Sequence, residues 1–324
     1  MGTARDRVML TASVGLSAAG DTLAIAPLAT ILAAETGSGF AVAAFFGALW
    51  GPSVVLGSVA GRIVDRFENV RLLTVVSLAQ AVVAASMIVA LDSIPALLVL
   101  AAMIGTGNAV AQAAEFSLSP VAAGEDGVAR LNGWIESSRY LGMTIGPALG
   151  GLLAAVGHPQ VALAGNALTF LAVVAIALSL TVRRHPAVSE HGSGGGEQAG
   201  EARSGFAVLR RTSSSLWTTI LIAIASLATM TIVWPAMPFF ATDVLGGSAA
   251  TYGLLMATWT AGMAIGSIGL ASRIRPERLA VAAVAAIAIQ GFWLGLPTLL
   301  LSIPFAAFAY VLGGAAHGAK NVFV

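Results

Sequence analysis

The chain has no cysteine, which excludes disulfides, thiolate metal ligands and thiol redox chemistry. Its four histidines are scattered, so no metal site is expected. Charge is scarce too. Asp, Glu, Lys and Arg make up 10% of 324 residues and the net charge is +1, too little for a nucleic-acid-binding surface. There is no GxxxxGK[ST] phosphate loop, no HExxH pair and no GxSxG turn, and no cofactor is implied. The chain therefore reads as a non-enzyme that hydrolyses no nucleotide.

What it has in abundance is apolar surface: 57% of residues are hydrophobic. A water-facing protein with so few charges would have little to offer solvent. Lipid as solvent removes that objection, and in lipid only helices or closed barrels satisfy the backbone. The apolar runs are mostly about 20 residues or longer, enough for a helix to cross roughly 30 Å of hydrocarbon. Barrel strands would be about 10 residues long and would alternate. The pattern predicts ten spans: Val8–Ala34, Phe40–Gly61, Leu72–Leu91, Ile94–Leu118, Leu131–Val156, Val161–Val182, Leu216–Ala241, Tyr252–Ser272, Leu279–Leu296 and Leu300–Val324. The first follows Arg5 and Arg7 as a signal peptide would, but it is too long for one and a second span follows at once, so it is read as retained.

The basic residues are unevenly placed. Arg5 and Arg7 precede the first span, Arg62, Arg66 and Arg71 follow the second, Arg130 the fourth, Arg183 to Arg211 the sixth, and Arg273, Arg275 and Arg278 the eighth. The intervening connections hold only Glu35, Asp92, His158 and Asp243 as ionisable groups. That alternation predicts a multi-pass protein with its amino terminus in the cytoplasm.

One long polar stretch, residues 183–213, contains GSGGGEQAGEARSG, a flexible-linker composition. It divides the chain into a six-helix bundle (1–182) and a four-helix part (214–324). An internal repeat supports the division. Trp50, Gly57-Ser58 and Gly37 recur as Trp259, Gly266-Ser267 and Gly246, each 209 positions on. Two parallel halves are expected, an architecture of transporters.

Two motifs stand out. After span two the chain reads GRIVDRFENVR, with Gly61, Asp65, Arg66 and Arg71. An acid beside arginines in such a turn can lock helix ends together; the plainer reading is a solvated anchor loop. Span five carries Gly133, Gly142, Gly146-Pro147 and Gly150-Gly151, small residues that let helices approach closely, with a proline bend.

On these residues the chain resembles the major facilitator superfamily. The first motif resembles its GxxxDRxGRR signature, with the second glycine replaced by Glu68-Asn69 and the spacing stretched. The second is similar to the antiporter signature of its drug-efflux members. Gly20-Asp21, Leu131-Asn132-Gly133 and Asn166-Ala167-Leu168 are similar to the enterobactin-exporter and macrolide-efflux branch. The resemblance implies an all-helical bundle of two pseudosymmetric halves with twelve helices. The ten spans here stop at helix ten, so the second half is expected to be incomplete, through a truncated reading frame or an incomplete sequence rather than a partner chain that supplies two helices. In the family the acid matching Asp65 engages helix eleven, which puts that latch in doubt.

Polar residues inside spans are expensive. Asp21 lies midway along span one and is either a proton carrier that also receives substrate or an acid fastening two helices. Asn108, Gln112 and Glu115 share one face of span four and either line a substrate path or bond helices together. Glu136 and Arg139, one turn apart in span five, are expected to form a network with Glu115, either gating and shuttling protons or standing as a static neutral cluster. Lys320 is expected to snorkel to the interface. Phe45, Phe46, Trp50, Trp234, Phe239 and Phe240 either line an apolar cavity or belong to an interface belt.

The resemblance and the antiporter signature imply a secondary transporter of the bacterial plasma membrane, a monomer in lipid. It would export an amphipathic drug or siderophore-like molecule in exchange for protons, by alternating access. An importer or facilitator on the same fold, and a non-transporting remnant of a longer protein, are the alternatives.

Overall fold

A computed structural model describes residues 2–124, 127–184, 224, 231–269 and 279–323. The first six helices are α1 Ala4–Thr36, α2 Gly39–Arg66, α3 Asn69–Val89, α4 Ile94–Ala123, α5 Val128–Ala155 and α6 Pro159–Ser179. They are followed by α7 over the described residues 231–244, α8 Ala249–Gly269, α9 Leu279–Gly295 and α10 Ile303–Phe323. No strand occurs among the described residues. Each of the ten expected spans holds a helix among the described residues. The linker expected at 183–213 lies, from residue 185 on, outside the described residues, as does the start of span seven.

Local chemistry sets the helix ends. Thr3 and Asp6 form a capping box at the start of α1. Glu68 accepts from the Val70 and Arg71 N–H groups and caps α3. Prolines in the first turns of α4 and α6 sit where a missing N–H is harmless. Gly37 (φ +58°) and Gly246 (φ +65°) adopt the left-handed conformation that closes α1 and α7. Pro120 does not stop α4, which runs past its expected end at Leu118 to Ala123. α7 ends in a π turn at Phe240–Val244, just past Pro235 and Pro238.

Among the described residues, six helices, α1 to α4, α6 and the stretch Val281–Thr298, are long and apolar enough to cross a membrane on their own. α5 is held between α1 and α8 by its glycines. A Cβ on Gly142, Gly146 or Gly150 would meet the α1 backbone at Gly15, Ala19 or Leu23. One on Gly151 would meet Ala249 and Gly253 of α8. α8 approaches α10 in the same manner through Gly262, Gly266, Gly314 and Gly318.

Helix direction alternates, so the chain has two ends. At one, Gly2 N–H donates to the Val121 carbonyl (3.3 Å), Asn69 bonds Ser117, and Ser119 donates to Asn132 (2.6 Å). Those contacts gather the starts of α1, α3 and α5 with the end of α4, and with them Arg5, Arg62, Arg71 and Arg130. This is the arginine-bearing end. Gly37, Asp92, His158 and Gly246 lie in the connections at the opposite end.

The repeat is physical. Gly105 on α4 presses on the backbone of Leu49 in α2, and Gly314 on α10, 209 positions later, presses on that of Trp259 in α8. The left-handed turns at Gly37 and Gly246 keep the same offset.

Candidate functional site: a polar wall in an interhelical cavity

A cavity of about 720 Å³ lies between α1, α2, α4 and α5. It runs from Asp21, midway along α1, toward Ser119 and Asn132 at the arginine-bearing end. Six of the polar residues singled out within the spans line it: Asp21, Asn108, Gln112, Glu115, Glu136 and Arg139. Helix geometry explains this. Asn108, Gln112 and Glu115 rise along one face of α4, while Glu136 and Arg139 are one turn apart on α5 and face them. Ile25, Leu49, Trp50, Phe116 and Met143 supply apolar wall.

Hydrogen bonds fix the floor of this cavity. Asn108 Nδ2 donates to Asp21 Oδ2 at 3.0 Å. Gln80 Nε2 donates to Asn108 Oδ1 at 2.6 Å and to the Ile104 carbonyl at 3.3 Å. A continuous polar chain thus crosses from α3 through α4 to α1. Gln80 is 3% exposed, and its carboxamide lies against Gly107, where a side chain would collide. Gln80 did not stand out in the sequence; its signal was a lone amide in an otherwise apolar span.

The charged network is only partly as expected. Arg139 Nε pairs with Glu136 Oε1 at 3.2 Å. Glu115 is buried and makes no ion pair with either among the described residues. Its backbone lies on α4, and the guanidinium is turned along α5 toward Glu136. Arg139 nonetheless shares the wall of the cavity with both Asp21 and Glu115.

Toward the opposite end the two halves meet. Thr260 Oγ1 donates to the Met143 carbonyl at 3.0 Å, and the Thr144 hydroxyl lies 3.2 Å from it. Gly253 rests against the Pro147 carbonyl. Trp234 of α7 closes on Trp50 and Phe46 of α2, with ring centroids 5.5 and 5.9 Å apart. Of the aromatics singled out, Trp50 lines the main cavity, and Phe46 and Trp234 join this closure.

Over residues 10–322 the sequence matches the Major Facilitator Superfamily. The chain belongs to that superfamily. No curated protein sequence matches it. Among solved structures, a nucleoside transporter is similar with a TM-score of 0.72 at 12% identity, covering 98% of this chain and 81% of that one. A D-xylose-proton symporter gives 0.63 at 12%, covering 98% and 88%. A bacterial homolog of the human lysosomal transporter Spinster, inward-facing and unoccupied, gives 0.64 at 18%, covering 99% and 75%. At these identities the likeness is one of fold: a transporter fold, of a multi-pass membrane protein.

The two motifs singled out in the sequence fall outside the cavity and touch its frame. In the antiporter-like run, Gly142, Gly146 and Gly150 seat α5 on α1, while Pro147 and Gly151 seat it on α8; a Cβ on Gly133 would meet nothing within 4 Å. In the turn between α2 and α3, Gly61 is equally open. Asp65 pairs not with Arg66 or Arg71, both exposed, but with Arg184 beyond α6 (3.3 Å). Arg183 reaches Glu68 (3.6 Å), and Asn69 N–H donates to the Arg184 carbonyl (3.3 Å). The ion pairs of this turn are thus made with the end of α6, and Arg66 and Arg71 stay exposed.

Two further buried groups shape the frame. Asp6 accepts from the Thr3 N–H and hydroxyl (2.9 and 2.7 Å) and from the Thr181 N–H and hydroxyl (2.7 and 2.6 Å), tying α1 to the end of α6. Lys320, expected to snorkel, is instead 3% exposed, with Nζ 3.4 Å from His317 Nδ1. His317 in turn meets Gln290 of α9 at 3.0 Å.

Proposed function

We propose that the chain is a secondary active transporter that exports an amphipathic small molecule in exchange for protons. The observation that carries this reading is the placement of Asp21. A carboxyl group stands midway across the fold on the wall of a 720 Å³ cavity, hydrogen-bonded on one oxygen and faced by Arg139. That volume suits a drug-sized ligand. The apolar wall of Trp50 on α2 and Met143 on α5, with Phe116 beside the polar stripe on α4, suits an amphipathic one.

Alternating access follows from where the halves touch. Contacts between α5 and α8 and between α2 and α7 close the end away from the arginines, and the cavity extends toward the arginine-bearing end. With the arginines in the cytoplasm, this is an inward-open state, in keeping with the inward-facing Spinster homolog. Asp21 releases its proton into the cavity, and the ionised acid and Arg139 receive substrate. The halves then rock about the α5–α8 contact, and a proton from outside returns to Asp21 as substrate leaves. The protein works as a monomer in the bacterial plasma membrane, with amino terminus and linker in the cytoplasm.

Inverted vesicles with an imposed pH gradient test this. Adding antibiotics and chelators one at a time should collapse the gradient for at least one compound, and not in vesicles carrying Asp21→Asn. Substrate that runs down its own gradient with no proton movement would make the protein a facilitator instead; proton-linked movement out of the vesicles would make it an importer.

A further inference from the structure

Behind Asp21, toward the closed end, lies a second and much smaller void of about 20 Å³, room for one water molecule. Asp21 lines both spaces and stands between them. The void is walled by apolar side chains of α1, α2, α3 and α4, among them Leu28, Phe45 and Met87. Only Asp21 and Asn166 of α6 are polar there. Asn166 is 2% exposed and presses on Gly20. Asp21 Oδ1 and Asn166 Oδ1 are both buried and both lack a hydrogen-bond partner.

Two buried, unpartnered acceptors on residues that line one apolar void are costly, because each has given up its hydrogen bonds to water. Something carrying a hydrogen or a positive charge must relieve them. A metal cation fits poorly: hard cations take about six oxygen ligands, and this void supplies two. A proton on the carboxyl fits directly, and the geometry says which oxygen carries it. Oδ2 accepts from Asn108 Nδ2, so Oδ1 is the atom free to become O–H.

We infer that Asn166 is a positioning residue for the transported proton: the protonated Asp21 donates its Oδ1–H to Asn166 Oδ1, directly or through one water in the void. This rests on the reading of Asp21 as the proton carrier. When Asp21 is protonated, α1 is bonded to α6 at mid-depth. When it is ionised, that bond is unmade and the carboxylate depends on Asn108 and on the field of Arg139. The charged groups that face Asp21 are Glu115 from α4 and Glu136 and Arg139 from α5. α6 and α8 carry no charged side chain, and those of α2 and α3 lie at their arginine-bearing ends. Asn166 is thus the group on the closed side that can tell the two protonation states apart.

The test is infrared difference spectroscopy of the purified protein between low and high pH. The carbonyl stretch of protonated Asp21 is identified by its loss in Asp21→Asn. In the unsubstituted protein it should lie at the frequency of a hydrogen-bonded acid. Asn166→Leu and Asn166→Val, which remove the oxygen and fill the space differently, should shift it upward, to that of an acid whose O–H is free while its carbonyl still accepts from Asn108; either variant that folds decides the matter. A band left in place overturns the inference and leaves Asp21 as carrier. Absence of any Asp21-dependent band at every pH overturns both.

Discussion

Asn108 and His317 stand 209 positions apart, and each takes up a glutamine from the preceding helix: Gln80 at 2.6 Å from Asn108, Gln290 at 3.0 Å from His317. The two halves thus share a polar bridge between their third and fourth helices. They differ in what the bridge holds next. Asn108 passes on to an acid, Asp21, at 3.0 Å, and His317 lies 3.4 Å from a base, Lys320. A duplicated frame thus carries an acid beside the bridge in one half and a base in the other.

Removing the acid is the first expectation. Asp21→Asn keeps an oxygen for Asn108 to donate to and removes the titrating group. Proton-driven transport should fall to the level of empty vesicles while membrane insertion and thermal stability in detergent stay unchanged. Normal gradient-driven transport by this variant would show that the proton travels elsewhere.

The glycines of α5 separate contact from composition. Gly142→Ala places a Cβ against the Gly15 carbonyl, a backbone atom that no rotamer change can move. It should cost about 1–3 kcal/mol of stability, as overpacking does. Gly61→Ala has nothing within 4 Å and should change stability by no more than about 0.5 kcal/mol. Thermal unfolding of the two variants side by side checks the contrast, and equal losses would count against close α1–α5 approach.

Two acids at the arginine-bearing end should behave unlike each other. Asp6→Ala strips a helix cap and leaves the Thr181 N–H without its acceptor, a loss of about 2–4 kcal/mol. Asp65→Ala breaks an exposed pair with Arg184 and should cost at most about 1 kcal/mol. Denaturation midpoints would reverse this ranking only if the turn after α2 carried more of the fold than its exposed contacts indicate.

The cysteine-free chain lends itself to single-cysteine labelling. Arg62→Cys and Asp92→Cys should react with a membrane-impermeant maleimide from opposite faces, His158→Cys from the Asp92 face, and Gln112→Cys, inside the cavity, from the Arg62 face. Labelling of Asp92→Cys and Arg62→Cys from one face would contradict the helix directions described above.

Much of the architecture was legible because lipid imposes simple rules. Runs of apolar residues had to be helices, and arginine placement gave their directions. Gly37 and Gly246 announced the repeat because a left-handed turn favours glycine wherever it recurs. The polar wall was legible for a related reason: Asn108, Gln112 and Glu115 have no tolerable place on a lipid-facing surface, so their shared face of α4 had to point inward.

Partnerships were another matter. Nothing in the sequence says that Asp65 reaches Arg184 rather than its neighbours Arg66 and Arg71, that Glu115 stays apart from the Arg139–Glu136 pair, or that Lys320 turns inward. Composition and periodicity fix which side of a helix is polar, because solvent acts on each helix alone. Which atoms then meet depends on how far one helix is shifted and rotated against the next. Those shifts are set by glycine contacts such as Gly142 on Gly15, between residues more than a hundred positions apart, and so only the tertiary structure decides them.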